Sequence, residues 1–125
     1  KRDFTYVDDI VEGVTRVMTN PPEVKLGADG LPMAATRVYN IGNSNPENLL
    51  DFVDTLQRVL VDEGVLPADF DFEAHRELVP MQPGDVPVTY ADTSKLERDT
   101  DFKPSTPLED GLREFAKWYR DYYRL

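Results

Sequence analysis

Lys1-Arg2-Asp3-Phe4-Thr5-Tyr6-Val7-Asp8-Asp9-Ile10-Val11-Glu12-Gly13 changes its period halfway along. Residues 3–7 alternate and are rich in β-formers, which predicts a short strand. From Ile10 onward the apolar positions are Ile10, Val11, Val14, Val17 and Met18, the spacing of a helix. Asp8 or Asp9 lies at the junction, where a carboxylate can accept from free helix N–H groups. Asn20-Pro21-Pro22 stops the helix, because proline removes a donor and clashes with the preceding turn. A strand feeding a helix is the unit of an α/β fold.

The same unit recurs further along. Arg37–Ile41 reads as a second strand, and Gly42-Asn43-Ser44-Asn45-Pro46 as a turn, with Asn45 at an N-cap and Pro46 at the first helical position. Leu49, Leu50, Val53, Leu56 and Leu60 then form an apolar stripe that ends at Gly64. His75–Gln82 reads as a third extended segment, and Pro83-Gly84-Asp85 as a turn. Ser94…Glu97 and Thr106-Pro107-Leu108-Glu109 both fit helix starts with capping boxes. Leu108, Leu112, Phe115, Ala116, Tyr119, Tyr122 and Tyr123 mark the expected buried face of the last helix, with Glu109–Arg113 and Lys117–Asp121 as i,i+4 pairs. Residues 20–36 and 65–74 read as loops, the second acidic. Three short strands separated by helices imply parallel pairing, and parallel sheets are covered on both faces. Three short strands with three or four helices are therefore expected to be the edge of something larger.

Composition narrows the function. The 125 residues carry 14 basic and 24 acidic side chains, a net charge of −10. Residues 1–91 hold −9 of it, which suits a solvated acidic surface. No run of basic residues offers a footprint for nucleic acid. No apolar stretch approaches the length of a membrane span, and residues 1–15 lack the apolar core of a signal peptide. The absence of cysteine excludes disulfides and thiolate chemistry and fits a reducing compartment, so a cytoplasmic protein is expected. The chain starts at Lys1 rather than at a methionine and reads as cut from a longer one.

Most reactive constellations are missing. His75 is the single histidine and has no serine or carboxylate partner at a telling spacing. Asp69-Phe70-Asp71-Phe72-Glu73 alternates carboxylates but lacks the glycine and distal glutamate of a calcium loop. Gly42-Asn43-Ser44 lies between a strand and a helix but supplies one glycine, so a tight turn is favoured over a phosphate cradle. Asp8-Asp9 is favoured as a cap over an acid/base pair. Two features resist such bland readings. Arg2 stands at the mouth of a strand, where a guanidinium can hold phosphate oxygens bidentately, the alternative being a surface arginine. Pro80-Met81-Gln82-Pro83-Gly84-Asp85-Val86-Pro87 is a stiff loop able to present Gln82 and Asp85 in fixed positions to sugar hydroxyls.

These residues carry a resemblance. Arg2-Asp3-Phe4-Thr5-Tyr6-Val7-Asp8-Asp9-Ile10-Val11-Glu12-Gly13 resembles a segment of the extended short-chain dehydrogenase/reductases, and more narrowly of the NAD-dependent nucleotide-sugar epimerases. Tyr39-Asn40-Ile41-Gly42-Asn43 is similar to a later strand and turn of that family. Met81–Pro87 with Thr89-Tyr90-Ala91-Asp92 is similar to the pattern of UDP-glucuronate 4-epimerases, and Phe102–Gly111 leads into the family's C-terminal helix. The resemblance spans nearly everything except the loops at 20–36 and 61–76.

It implies that residues 1–125 are the C-terminal substrate-binding portion of a Rossmann-type epimerase. NAD would be bound by an N-terminal Rossmann domain absent from this chain. Such enzymes oxidise C4 of the sugar, rotate the keto intermediate and return the hydride, with a tyrosine of a Tyr-x-x-x-Lys pair as base. No such pair and no glycine-rich cofactor loop occur here, so no catalytic and no cofactor-binding residue is assigned to this chain. By the resemblance Arg2 would hold the nucleotide diphosphate and Asp85 would accept from the ribose hydroxyls. Gln82 stands where many relatives have a phosphate-contacting arginine and glucuronate-type relatives have glutamine. Asp3, Thr5 and Tyr6 read as packing residues.

The substrate expected is a UDP-sugar, and the chain alone is expected to be inactive. A decarboxylase or dehydratase of the same superfamily is the alternative. A stand-alone binding module that covers its apolar faces by self-association is a further one.

Overall fold

The computed structural model describes residues 1–125 and contains four α-helices. These are α1 (Val7–Met18), α2 (Leu49–Asp62), α3 (Ser94–Thr100) and α4 (Leu108–Tyr123). They form two pairs, α2 on α4 and α1 on α3. A single 3-10 turn spans Glu73–His75.

The three expected strands do not form as strands. Residues 3–7, 37–41 and 75–82 join no ladder of regular structure. The reason is the supply of partners: an extended run becomes a strand only when a neighbour takes its N–H and C=O groups. One segment comes close. Arg2 exchanges both backbone hydrogen bonds with Glu47 (2.9 Å each), antiparallel. On its other side the Lys1 nitrogen donates to Pro87 O (2.6 Å), and Thr89 N–H donates to Lys1 O (3.2 Å), a parallel-type pairing. Residues 1–3 thus lie between two neighbours, one residue deep on each side. The expected strand at His75 is corrected outright, since His75 ends the 3-10 turn, with Nδ1 2.7 Å from Asp71 O.

The helices follow the apolar periodicity, while their caps shift. Neither Asp8 nor Asp9 caps α1. Asp9 Oδ2 instead accepts from Ser105 N–H (3.2 Å) and Thr106 N–H (3.0 Å), tying α1 to the segment that enters α4. Asn48, not Asn45, caps α2, accepting from Leu50 N–H at 2.8 Å. Neither capping box closes at α3 or α4. Ser94 N–H is taken by Asp92 Oδ1 (3.0 Å), and Glu109 turns outward to Arg58 and Arg113. Gly64 ends α2 in the left-handed conformation, φ +73°. The loop at 20–36 folds back on itself, with Leu26 bridged to Pro32 and Gly30 at φ +75°.

Only seven residues are buried, among them Val59 on α2, Leu96 on α3 and Ala116 on α4. Phe4 stacks on Phe52 at 4.3 Å between ring centres and joins the N-terminal segment to α2. A network of ions spans α2 and α4. Arg58 grips Glu109 with both Nη atoms (2.8 and 2.7 Å), while Arg113 reaches Glu63 (2.6 Å) and Glu109 (3.1 Å). The expected Glu109–Arg113 pair is present. Lys117 pairs with Glu114 rather than with Asp121.

Two apolar faces stay uncovered. On α1 the inner positions Ile10, Gly13 and Val17 face the chain, and Gly13 is buried there with a Cβ position 3.3 Å from Ile41 Cδ1. Val7, Val11, Val14 and Met18 make a second stripe, exposed by 44–74%. On α4, Phe115, Trp118, Tyr122 and Tyr123 form an exposed aromatic ladder, which corrects the expectation that Phe115, Tyr122 and Tyr123 are buried. A helix apolar on both sides is a helix built to be covered.

Candidate functional site

Pro83-Gly84 forms the corner of a turn. Asp85 N–H donates to Gln82 O at 3.1 Å, and Gly84 has φ +87°. Proline followed by a residue with positive φ is the type II arrangement, which only glycine accepts without strain. Gln82 and Asp85 therefore stand at the two ends of one rigid turn.

That turn delivers Asp85 to Arg2, 83 positions away, with Arg2 Nη2 donating to Asp85 Oδ1 at 2.6 Å. Arg2 Nη1 also donates to Val86 O (2.7 Å) and Lys1 O (3.0 Å). Three of the five guanidinium N–H groups are thus engaged, and Nε–H and one hydrogen of Nη2 remain for an outside acceptor. Asp85 Oδ1 additionally accepts its neighbour's N–H, from Val86, at 2.9 Å. Asp85 Oδ2 accepts no bond within the chain. Gln82 is exposed, and its amide likewise makes no bond within the chain. The structure brings Arg2 and Asp85 into contact and leaves Gln82 at the far corner of the same turn. Fixed cation, fixed carboxylate and free amide can receive an anion beside a group of hydroxyls.

The neighbouring residues have other work. Asp3 Oδ2 accepts from Ser44 N–H (3.1 Å) and Ala91 N–H (3.1 Å), and Oδ1 from Asn45 N–H (3.3 Å). Asn43 N–H goes to Thr5 Oγ1 (3.2 Å). Three of the four backbone donors of Gly42-Asn43-Ser44-Asn45, the one turn with the context of a phosphate cradle, are spent on the chain's own side chains: those of Asn43, Ser44 and Asn45. Gly42 is held to glycine by proximity, since a Cβ would lie 2.4 Å from Ala91 Cβ and 2.8 Å from Asp3 Oδ2. Tyr6 packs over Gly111. Burial first, and then the charge of Asp8, raise its phenol above the ordinary value, the opposite of what a general base needs. Asp3, Thr5 and Tyr6, expected as strand and packing residues, make these internal contacts without forming a strand.

Sequence reasoning missed the reach of Asp3, whose partners lie 41, 42 and 88 residues away. It also missed Asp99, which accepts from the Tyr39 hydroxyl (3.0 Å) and from Arg37 (3.3 Å). The Tyr39 hydrogen bond first, and then Arg98, lower the Asp99 carboxyl, and the bonds from Tyr39 and Arg37 fix residues 37–39 to α3. No periodicity could have announced either contact. No three acidic or histidine side chains are placed to share a metal ion. The one turn with the context of a phosphate cradle already holds Asp3. An open apolar cleft of about 270 Å³, lined among others by Phe4, Phe52, Thr106, Leu112 and Phe115, contains none of Arg2, Gln82 and Asp85. No helix is long and apolar enough to cross a membrane.

Comparison with known proteins places the chain in a family. The family described as GDP-mannose 4,6 dehydratase matches residues 1–115. Protein CapI of Staphylococcus aureus is 43% identical over 98% of this chain and 36% of its own length. UDP-glucuronate 4-epimerase 2 of Arabidopsis thaliana is 37% identical over 98% of this chain and 26% of its own length. In fold the chain is similar to part of a UDP-glucose 4-epimerase from Bifidobacterium longum, solved with NAD+ and UDP. The TM-score is 0.65 at 20% identity, over 95% of this chain and 30% of that one. The chain thus spans about a quarter to a third of the length of the relatives it matches. The family match over nearly the whole chain makes it a member of the GDP-mannose 4,6 dehydratase family, among the nucleotide-sugar epimerases and dehydratases of the extended short-chain dehydrogenase/reductases.

Proposed function

We propose that residues 1–125 are the substrate-binding portion of an NAD-dependent UDP-sugar 4-epimerase, with UDP-glucuronate as the substrate that fits its relatives' names best. The observation that carries this reading is the meeting of Arg2 and Asp85 at 2.6 Å on a rigid turn, within sequence that aligns with those relatives. Arg2 would hold the diphosphate, Asp85 the ribose hydroxyls, and Gln82 a phosphate or sugar oxygen from the turn's other corner. The hydride chemistry and the cofactor belong to residues outside this chain, so the chain alone is inactive. The exposed stripes of α1 and α4 are the seam against that cofactor-binding portion. A cytoplasmic location goes with this reading.

Because this chain supplies one wall of the pocket, UDP should bind it weakly. Calorimetric titration should give an affinity weaker than micromolar, and a sub-micromolar value would overturn the one-wall reading. Product analysis on an enzyme containing this chain separates the reactions. UDP-galacturonate from UDP-glucuronate is the expected product, whereas release of carbon dioxide or water identifies a decarboxylase or dehydratase. The dehydratase has an observation in its favour, the description of the matching family. If the chain instead acts alone, its uncovered stripes require self-association, and sedimentation as a monodisperse monomer would end that reading.

A further inference from the structure

The sequence holds two aspartate–glycine pairs, Asp29-Gly30 and Asp110-Gly111. Glycine puts no side chain in the way of its own amide nitrogen, so that nitrogen can reach the carboxyl of the aspartate before it. The fold treats the two pairs differently. Asp110-Gly111 lies in the first turn of α4, where Gly111 N–H donates to Pro107 O (3.1 Å) and a Cβ on Gly111 would lie 3.1 Å from Tyr6 Cδ2. Turning that amide toward Asp110 means unwinding the start of the helix. Asp29-Gly30 forms the tip of an exposed hairpin, closed by Gly27 N–H to Leu31 O and Met33 N–H to Lys25 O, 2.8 Å each. Gly30 stands at φ +75°, with nothing within 4 Å of the place a Cβ would take. The Asp29 carboxylate folds forward over its own turn, with Oδ1 accepting Leu31 N–H at 3.1 Å. An aspartate bonded two residues on wraps its side chain around the amide between them, here that of Gly30. One exposed hydrogen bond, Gly30 N–H to Gly27 O at 3.0 Å, holds that nitrogen back.

We propose that Asp29-Gly30 is a site of spontaneous isoaspartate formation, a covalent modification of the hairpin tip. The Gly30 amide nitrogen attacks Cγ of the protonated Asp29 carboxyl. The amide hydrogen and the carboxyl hydroxyl leave together as water, and a succinimide ring closes. Water then adds to one of the two ring carbonyl carbons, and the C–N bond at that carbon breaks. Breaking it at Cγ restores aspartate. Breaking it at the main-chain carbonyl carbon leaves the chain running through Cγ, with the former main-chain carbonyl as a free carboxylate. Water lost is water regained, so the mass is unchanged and no oxidant or second enzyme is needed. The product adds a carbon atom to the main chain inside the loop that the Gly27–Leu31 bond closes, which puts the hairpin out of register.

Ageing at neutral pH tests the site, on protein containing this chain and on its Asp29→Glu variant. Tryptic peptides are separated by chromatography and the isomers distinguished by electron-transfer mass spectrometry. Trypsin releases Leu26–Arg37, in which Asp29 is the only aspartate and no asparagine occurs. Isoaspartate should accumulate in that peptide about ten times faster than at Asp110, because opening an exposed turn is easier than opening a packed helix start. The Asp29→Glu peptide should stay unmodified, since the longer side chain must close a larger and slower-forming ring. Both sites are followed by leucine, so in urea, with the fold removed, their rates should converge. A Leu26–Arg37 peptide that remains aspartyl, or rates at Asp29 and Asp110 that are equal in the folded protein, would overturn the proposal. So would an isomer in the Asp29→Glu peptide, or a difference between the two sites that survives in urea.

Discussion

Asp3 and Asp85 sit on either side of residue 2 and use the same carboxylate differently. Asp3 is half-buried, and its two oxygens accept three backbone N–H groups from the loops at 42–45 and 89–92. Asp85 is exposed and faces one guanidinium with one oxygen, the other accepting nothing within the chain. The first carboxylate replaces the anion that a turn of free N–H groups would otherwise attract. The second stands where an outside ligand can reach it. A carboxylate saturated by backbone donors is part of the fold, while a carboxylate paired with a solvent-facing arginine retains capacity to bind.

The sharpest way to break this comparison is Asp3→Ala. It leaves two part-buried N–H groups and one exposed one without their acceptor, and urea unfolding should show a loss of about 2–3 kcal/mol. A loss no larger than that of a surface substitution would erase the distinction. Gly42→Ala attacks the same junction sterically, since its Cβ would meet Ala91 Cβ at 2.4 Å and Asp3 Oδ2 at 2.8 Å. Overpacking of this kind costs about 1–3 kcal/mol and should lower Tm accordingly.

Acid titration gives a smaller effect on another pair of elements. Hydrogen bonds from Arg58 and then Arg113 hold the Glu109 carboxyl down at about 2, against 4.5 ordinarily. A depressed carboxylate stabilises the fold above its unfolded value, so this contribution is complete above pH 4.5 and disappears as pH falls through about 2. Glu109→Gln should flatten the stability profile between those limits, and an unchanged acid limb would count against the network. The smallest effect on stability belongs to Asp85→Asn, within about 1 kcal/mol, because the pair is exposed. Its UDP affinity should fall while its Tm hardly moves, the inverse of Asp3→Ala.

Much of this was legible in the sequence, and the gaps have physical causes. The bodies of α1, α2 and α4 follow from apolar periodicity, because helical hydrogen bonds are local. Caps were less legible, since Asp9 found better partners in Ser105 and Thr106 than in its own helix. The strands at 3–7, 37–41 and 75–82 were overread because strand formation depends on partners that no local pattern supplies. Exposure of Phe115, Tyr122 and Val11 was illegible for a related reason: periodicity identifies an apolar face but not what covers it. Arg2, Gln82 and Asp85 stood out by residue type and by family resemblance. That Arg2 meets Asp85 rather than Gln82 is a long-range fact, fixed by the backbone pairing of residues 1–3 with 47 and 87–89.

The most direct test of the central claim, that residue 2 and the 82–88 turn form the ligand-binding edge while the Asp3 junction is scaffold, is an amide NMR map of UDP binding. The account predicts weak, saturable shifts centred on Arg2 and on residues 82–88, with the 42–45 turn left still. Shifts centred on residues 42–45 or on the Phe4–Phe52 cleft, or no shift at millimolar UDP, would contradict it.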